Sequence, residues 1–224
     1  MQGFWGSLPP AARAALLALA TQSTFAAGRM VLAQEDSSGD VLVIWSGLVK
    51  VVARAANGRH VVLALRGAGD IVGELANING GPRSAAVVAL SRVEALVVPG
   101  AQFTRFLESC QVAAESVRRT IIDRLCETDR DRLAAATMTV GQRLARLLLK
   151  ISARYGVPTP GGGRRTEQLS QHELAACIGG ATRTVAREIS IWRRRNIIST
   201  ERRAIIVRQS SALERIVGRH APPP

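Results

Sequence analysis

Between Ser170 and Ile198 the chain reads SQHELAACIGGATRTVAREISIWRRRNII, which fits two short helices joined by a glycine turn. Ser170 and Glu173 have the spacing of a capping box, in which hydroxyl and carboxylate each satisfy a backbone N–H that the first turn leaves orphaned. Leu174, Ala175 and Ile178 give the first helix one apolar face, and Gly179-Gly180 ends it. Val185, Ile189 and Trp192, spaced four and three apart, give the second helix its buried face. The other side presents Thr182, Arg183 and Arg187 and runs into Arg193-Arg194-Arg195. This is a helix-turn-helix pattern, whose second helix lies in the major groove of DNA.

The charge distribution supports that reading. Residues 1–136 hold 14 Lys+Arg against 12 Asp+Glu, a net of +2, whereas residues 137–224 hold 16 against 5, a net of +11. A basic module beside a near-neutral one implies a division of labour between polyanion binding and something else. A solvated basic face is the bland alternative, and the coincidence of motif and charge argues against it.

At 224 residues and 47% hydrophobic content, the chain has material for one large or two modest cores, which excludes wholesale disorder. No stretch reaches the roughly 18 apolar residues of a membrane span. The best candidate, Val41 to Ala53, is interrupted by Ser46, Gly47 and Lys50. The N-terminus lacks the pattern of a secretory signal, so a soluble cytoplasmic protein is expected. Cys110, Cys126 and Cys177 are widely spaced, and His60, His172 and His220 are isolated, so neither a disulfide framework nor a metal site is expected. No nucleophile–base pairing is visible, and an enzyme is not expected.

Phe4 to Ala20 reads as a short helix with a Pro9-Pro10 start. Val41–Trp45, Leu48–Ala53, His60–Leu65, Ala85–Leu90 and Val93–Val98 read as short strands of a small barrel or roll, and Asn57-Gly58 as a hairpin turn. A helical stretch from Ala101 to about Ala136 follows. Val117, Ile121, Leu125 and Thr128 line one stripe of it, bordered by charged residues that include Arg118, Arg119 and Arg124, expected to be solvated. A narrow stripe of this kind suits a two-helix seam, and Val117, Ile121 and Leu125 are the expected homodimer contacts; packing on the chain's own barrel competes. Val140 to about Tyr155 is a second helix after a hinge at Thr137-Met138-Thr139. Gly156 to Arg165 reads as a flexible loop, residues 197–207 as a β-hairpin wing with arginines at its tip, and Ala221–Pro224 as a disordered tail.

One segment of the barrel points to an anion. In Gly73-Glu74-Leu75-Ala76 the helical turn after Glu74 offers N–H groups, while Arg83 and Ser84 supply a fixed cation and a hydroxyl. Together they suit a small sugar-phosphate. An internal Glu74–Arg83 ion pair bracing the barrel explains the same residues, and the sequence does not rank the two.

The order of barrel, long helix, hinge and winged helix-turn-helix, with GELANINGGPRSA in the barrel, resembles the CRP/FNR family of bacterial transcription regulators. The resemblance runs from about Phe4 to Val217. It implies an α+β chain: a jelly-roll-like cyclic-nucleotide-binding β-roll over 1–110, a dimerisation helix over 111–136 and a winged helix-turn-helix domain over 137–224. It also implies that Glu74 holds a ribose 2′-hydroxyl, that Arg83 holds the cyclic phosphate, and that Gly73, Leu75, Ala76 and Ser84 line the sugar-phosphate. Aligning on Gln142-Arg143-Leu144-Ala145 places Thr128 where relatives that respond to cyclic AMP set a Thr against adenine. Asp129 stands where those relatives carry a Ser reaching from the partner subunit. The oxygen-sensing branch needs N-terminal cysteines, and none precedes Cys110; a haem-sensing reading lacks a suitable His in the second half of the barrel.

On the DNA side the resemblance assigns Thr182, Arg183 and Arg187 to base reading, with Arg187 at the guanine-reading position. The family's usual Arg-Glu pair is Thr182-Arg183 here. Ser170, Gln171 and His172 would meet phosphates, with Arg202 and Arg203 on the wing. The expectation is a homodimeric regulator on a two-fold symmetric operator, controlled by cyclic AMP or cyclic GMP and working with RNA polymerase, with no membrane partner. The alternatives are the same regulator without a nucleotide, or a cyclic-nucleotide-binding regulatory subunit of an enzyme.

Overall fold

The computed structural model describes residues 3–54, 60–167, 169–201 and 204–218. The chain divides into two compact units, 1–126 and 127–224, so the boundary falls inside the long helix rather than at either of its ends.

In the first unit, helices α1 (Gly3–Ser7) and α2 (Pro10–Leu19) replace the single expected helix. Pro10 takes the first helical position of α2, where a missing N–H costs nothing. Strands β1 (Thr21–Phe25), β2 (Met30–Leu32), β3 (Val41–Ser46), β4 (Leu48–Arg54), β5 (His60–Gly67) and β6 (Ile71–Val72) follow. Helix α3 (Glu74–Asn79), strands β7 (Ala86–Ala89) and β8 (Val93–Val98), and helix α4 (Gly100–Ser109) complete the roll. Two antiparallel four-stranded sheets result, ordered β1-β8-β3-β6 and β2-β7-β4-β5. Arg54 pairs with His60 across β4 and β5; the Asn57-Gly58 turn lies outside the described residues. The apolar run in β3 is buried on both sides, as the alternation of a strand requires. Val41 and Val43 join Phe4, Leu16, Ile71, Phe103 and Phe106, while Leu42 and Ile44 join Leu32, Val49, Val87 and Val93.

The expected single helix over 101–136 is interrupted. Cys110 leaves helical geometry at φ −130° and ψ 87°, and its carbonyl accepts from Ala113 and Ala114 to start helix α5 (Gln111–Thr137). The apolar stripe of α5 divides along its length. Val117 is 2% exposed within the chain's own core and Ile121 packs against that core, so these two are not surface contacts, whereas Leu125 is 61% exposed. Packing on the chain's own roll therefore takes the first part of the predicted seam.

The second unit continues α5 into helix α6 (Val140–Tyr155), capped by Thr139 and Gln142 in a reciprocal capping box. Arg146 pairs with Asp131 at 2.9 Å, and Lys150 pairs with Glu127 at 2.7 Å. Residues 156–165 form a hairpin, not a flexible loop: β9 (Val157–Pro158) and β10 (Arg164–Glu167) pair, and β10 pairs with the wing. A Cβ at Gly163 would stand 2.4 Å from the Val207 carbonyl oxygen, so that glycine admits the close strand approach. Helices α7 (Gln171–Ile178) and α8 (Thr182–Arg194) are the expected pair, followed by the wing strands β11 (Ile198–Glu201) and β12 (Ala204–Val207). The sheet runs β11-β12-β10-β9. Helix α9 (Ser210–Gly218), which sequence reading missed, packs on α6. The expected tail, Ala221–Pro224, lies outside the described residues.

Candidate effector pocket and nucleic-acid interface

Strand β6 leads into Gly73, which sits at φ +89° before α3. A Cβ there would fall 2.6 Å from the Asp40 carbonyl oxygen and 2.8 Å from Arg83 Nη1, so both the backbone angle and the space require glycine. Glu74 opens α3 and is 2% exposed. Its partner is Arg124 of α5: Nη1 donates to Glu74 Oε1 at 2.5 Å and Nη2 donates to the Ile71 carbonyl at 2.6 Å. Arg124 was expected among the solvated borders of α5; with a side chain 16% exposed, it is instead part of the cassette. The signal was available, since Arg124 lies seven residues after Val117 and three after Ile121, on the buried side of the helix.

Arg83 is 3% exposed and does not pair with Glu74. The internal ion pair considered from sequence is therefore absent, each residue having a different partner. Arg83 Nη2 donates to Ser38 Oγ at 3.0 Å and to the Asp40 carbonyl at 2.8 Å. Asp36 Oδ2 stands 3.7 Å from Arg83 Nε. The Ser38 hydroxyl and backbone N–H hold the Asp36 carboxyl below the usual carboxylate range, with Arg83 adding to the effect. Arg83 Nε and Nη1 are buried and make no hydrogen bond. A buried guanidinium with donors left unbonded is a group chemically able to meet an anion. Sequence reading missed Asp36, Ser38 and Asp40, which precede Arg83 by more than forty residues and carry no local signature. Leu75 and Ser84 are exposed, and Ala76 is half-buried. Thr128 and Asp129 lie on exposed turns of α5 belonging to the second unit.

In the second unit the capping box at α7 is formed: Ser170 Oγ accepts from the Glu173 N–H at 3.1 Å, and Glu173 Oε2 accepts from the Ser170 N–H at 2.9 Å. Val185, Ile189 and Trp192 are buried, which turns Thr182, Arg183 and Arg187 to the exposed side of α8. Gln171 and His172 are exposed as well. Arg202 and Arg203, expected at the wing tip, lie outside the described residues. Among the described residues, no carboxylate pairs with Arg183 or Arg187. Such a cationic helix face, carried on a packed helix pair, can meet phosphate and base edges.

Residues 22–110 match the sequence model of the cyclic nucleotide-binding domain, and residues 142–216 match that of the Crp-like helix-turn-helix domain. The chain belongs to the CRP/FNR family. This CRP/FNR protein is 27% identical to the CRP-like cAMP-activated global transcriptional regulator of Mycobacterium tuberculosis over 213 residues, 95% of each chain. It is 27% identical to the global nitrogen regulator of Synechocystis over 85% of each. In fold it resembles FixK2 from Bradyrhizobium japonicum, with a TM-score of 0.77 at 18% identity, over 90% of this chain and 99% of that one. As a CRP/FNR member it is a DNA-binding transcription regulator, and the relatives are named as regulators, not enzymes. No described helix is long and apolar enough to cross a membrane.

Proposed function

We propose that the protein is a cytoplasmic homodimer that binds a two-fold symmetric operator through α8 and is controlled by a cyclic nucleotide at the Gly73–Ser84 cassette. The observation that carries the effector reading is Arg83, a buried cation with two N–H groups unspent beside a glycine that clears its approach. A cyclic phosphate presents two exocyclic oxygens, which match a guanidinium fork. Glu74 would accept from a ribose hydroxyl in competition with Arg124. Thr128 and Asp129 would meet the base. That the M. tuberculosis relative is named as cAMP-activated supports cyclic AMP as the first candidate and cyclic GMP as the second.

Arg124 makes the cassette legible to α5. A ligand hydroxyl at Glu74 competes for the carboxylate that holds this helix residue, so ligand binding favours one arrangement of α5 over another. The nucleotide shifts the DNA-competent population only by its difference in affinity for the two arrangements. RNA polymerase is the partner that an operator-bound regulator would act on.

A regulator that needs no nucleotide is the second reading, favoured by Asp36, whose carboxylate already lies beside Arg83. Calorimetry with cyclic AMP and cyclic GMP, paired with operator affinity measured with and without each, separates the readings. Binding heat together with a change in affinity supports nucleotide control; neither effect with either ligand favours the alternative.

Two further outcomes follow. Ile122, Leu125 and Leu133 leave apolar surface exposed on α5 beyond the part buried in the roll, and we assign the dimer seam there. Leu125→Glu should shift the protein to monomer in sedimentation at micromolar concentration with unchanged helical circular dichroism; a persistent dimer refutes the seam. Arg187→Ala should weaken operator binding by about 1–3 kcal/mol and relax preference at one base position per half-site. Equal affinity of variant and parent in a fluorescence-anisotropy titration would count against the base-reading role.

A further inference from the structure

Two acids four residues apart on α5, Glu127 and Asp131, face two bases four residues apart on α6, Arg146 and Lys150. Lys150 Nζ stands 2.7 Å from Glu127 Oε1 and 3.4 Å from Asp131 Oδ2, and Arg146 Nη2 donates to Asp131 Oδ1 at 2.9 Å. Either pair by itself is unfavourable, because like charges at this spacing on a helix repel. Set against each other, the pairs form a ladder in which every charge meets its opposite. All four residues belong to the second unit, which takes in α5 from Glu127 onward. The ladder therefore favours one angle between the end of α5 and α6. Arg143 ties the corner, donating to the Met138 carbonyl in the hinge and to the Ile178 carbonyl at the end of α7. Helix α6 packs on α7 and α8, so its angle to α5 is also the angle at which α8 is held. With side chains 23% to 49% exposed, the ladder contributes little to overall stability. Its consequence is geometric.

We infer that Arg146 and Lys150 are positioning residues that set half-site spacing, the number of base pairs the dimer requires between the two sequences it reads. The inference rests on the proposed dimer seam along α5 and the proposed reading of DNA by α8. With α5 at the two-fold axis, the α5–α6 angle of each protomer determines how far apart the two copies of α8 stand. It also determines how each is turned about the duplex. One inserted base pair moves a half-site by about 3.4 Å along the duplex. It also turns that half-site by about 35°, since the duplex repeats about every 10 pairs. A joint braced by four matched charges resists that turn. A joint whose charges repel follows it, and so accepts operators of several spacings.

The test starts from the operator that the full-length parent selects from a randomised duplex pool, with and without cyclic AMP. Affinities are then measured for that operator and for versions with base pairs inserted or removed between the half-sites. The readout is the ratio between spacings, from which any uniform loss caused by added negative charge cancels. The parent should lose about tenfold or more for a change of one pair, because the two half-sites are no longer engaged together. Arg146→Glu with Lys150→Glu should flatten that loss to about threefold or less. Adding Glu127→Lys and Asp131→Lys puts opposite charges back across the joint and should restore the parent's preference. The neutral pair Arg146→Gln, Lys150→Gln should give an intermediate profile, and it decides the matter if the reversed protein does not fold. A parent indifferent to spacing overturns the inference and leaves the DNA-reading proposal standing. So does a folded variant that keeps the parent's profile, or a four-residue exchange that fails to restore it. If the parent selects no paired motif in either condition, the proposal of a dimer on a two-fold operator fails and takes the inference with it.

Discussion

Arg83→Ala is expected to remove detectable binding of cyclic AMP, a loss of at least about a hundredfold in affinity, while the protein remains folded. Arg83 supplies the buried positive charge of the cassette, and its unspent Nε and Nη1 are the donors a phosphate would use. Truncating one partner of a buried, hydrogen-bonded charge pair costs about 2–5 kcal/mol, and two such bonds on one anion place the loss at or beyond the middle of that range. Stability also falls, because the Asp40 carbonyl and Ser38 hydroxyl lose their donor, at about 1–3 kcal/mol for such groups left unsatisfied. Arg83→Lys is the informative companion. It keeps the charge and loses the fork, so affinity should fall between parent and alanine variant. Calorimetry reads the affinities and circular dichroism the fold. Unaltered nucleotide affinity in the alanine variant would show that the phosphate is bound elsewhere.

Glu74→Ala should destabilise the first unit more than Arg83→Ala does. It removes the carboxylate, 2% exposed, that neutralises an arginine held mostly out of water. Breaking a buried pair from one side costs about 3–5 kcal/mol. The lower end applies, because Arg124 keeps its bond to the Ile71 carbonyl and a side chain 16% exposed. A Glu74→Met, Arg124→Met double variant should recover much of the loss, since paired apolar replacement is often neutral. Denaturant titrations of Glu74→Met, Arg124→Met and the double close the cycle. Additive losses would mean that the pair carries no coupling and that α5 does not read the cassette through it.

How far the sequence foretold these features depends on how local their causes are. The two helices of the DNA module were legible because the capping box of α7, the two apolar faces and the glycine turn all lie within thirty residues and agree with one another. Strand β3 was legible as an unbroken apolar run. Strand β1, TQSTF, was not: its residues are mostly exposed or half-buried, and it is held by pairing to β8, sixty and more residues away. The hairpin at 156–165 was hidden because Gly161-Gly162-Gly163 and two prolines resemble a linker until β12 is known to lie beside them. The partners of Arg83 and Glu74 were hidden for the same reason. Asp36, Ser38 and Asp40 come from one end of the roll and Arg124 from its last helix, and only the closed fold sets them against the cassette. The stripe on α5 was read correctly as apolar, but its allocation between core and surface is decided by where the roll ends.

Under the proposed nucleotide control, Gly73 would make the response genetically fragile. Every missense change reachable by one nucleotide from a glycine codon introduces a β-carbon, which here meets the Asp40 carbonyl oxygen and displaces the Arg83 guanidinium. Val185, Ile189 and Trp192 belong to the other compact unit, so such alleles would produce a folded protein whose operator occupancy no longer answers to the nucleotide.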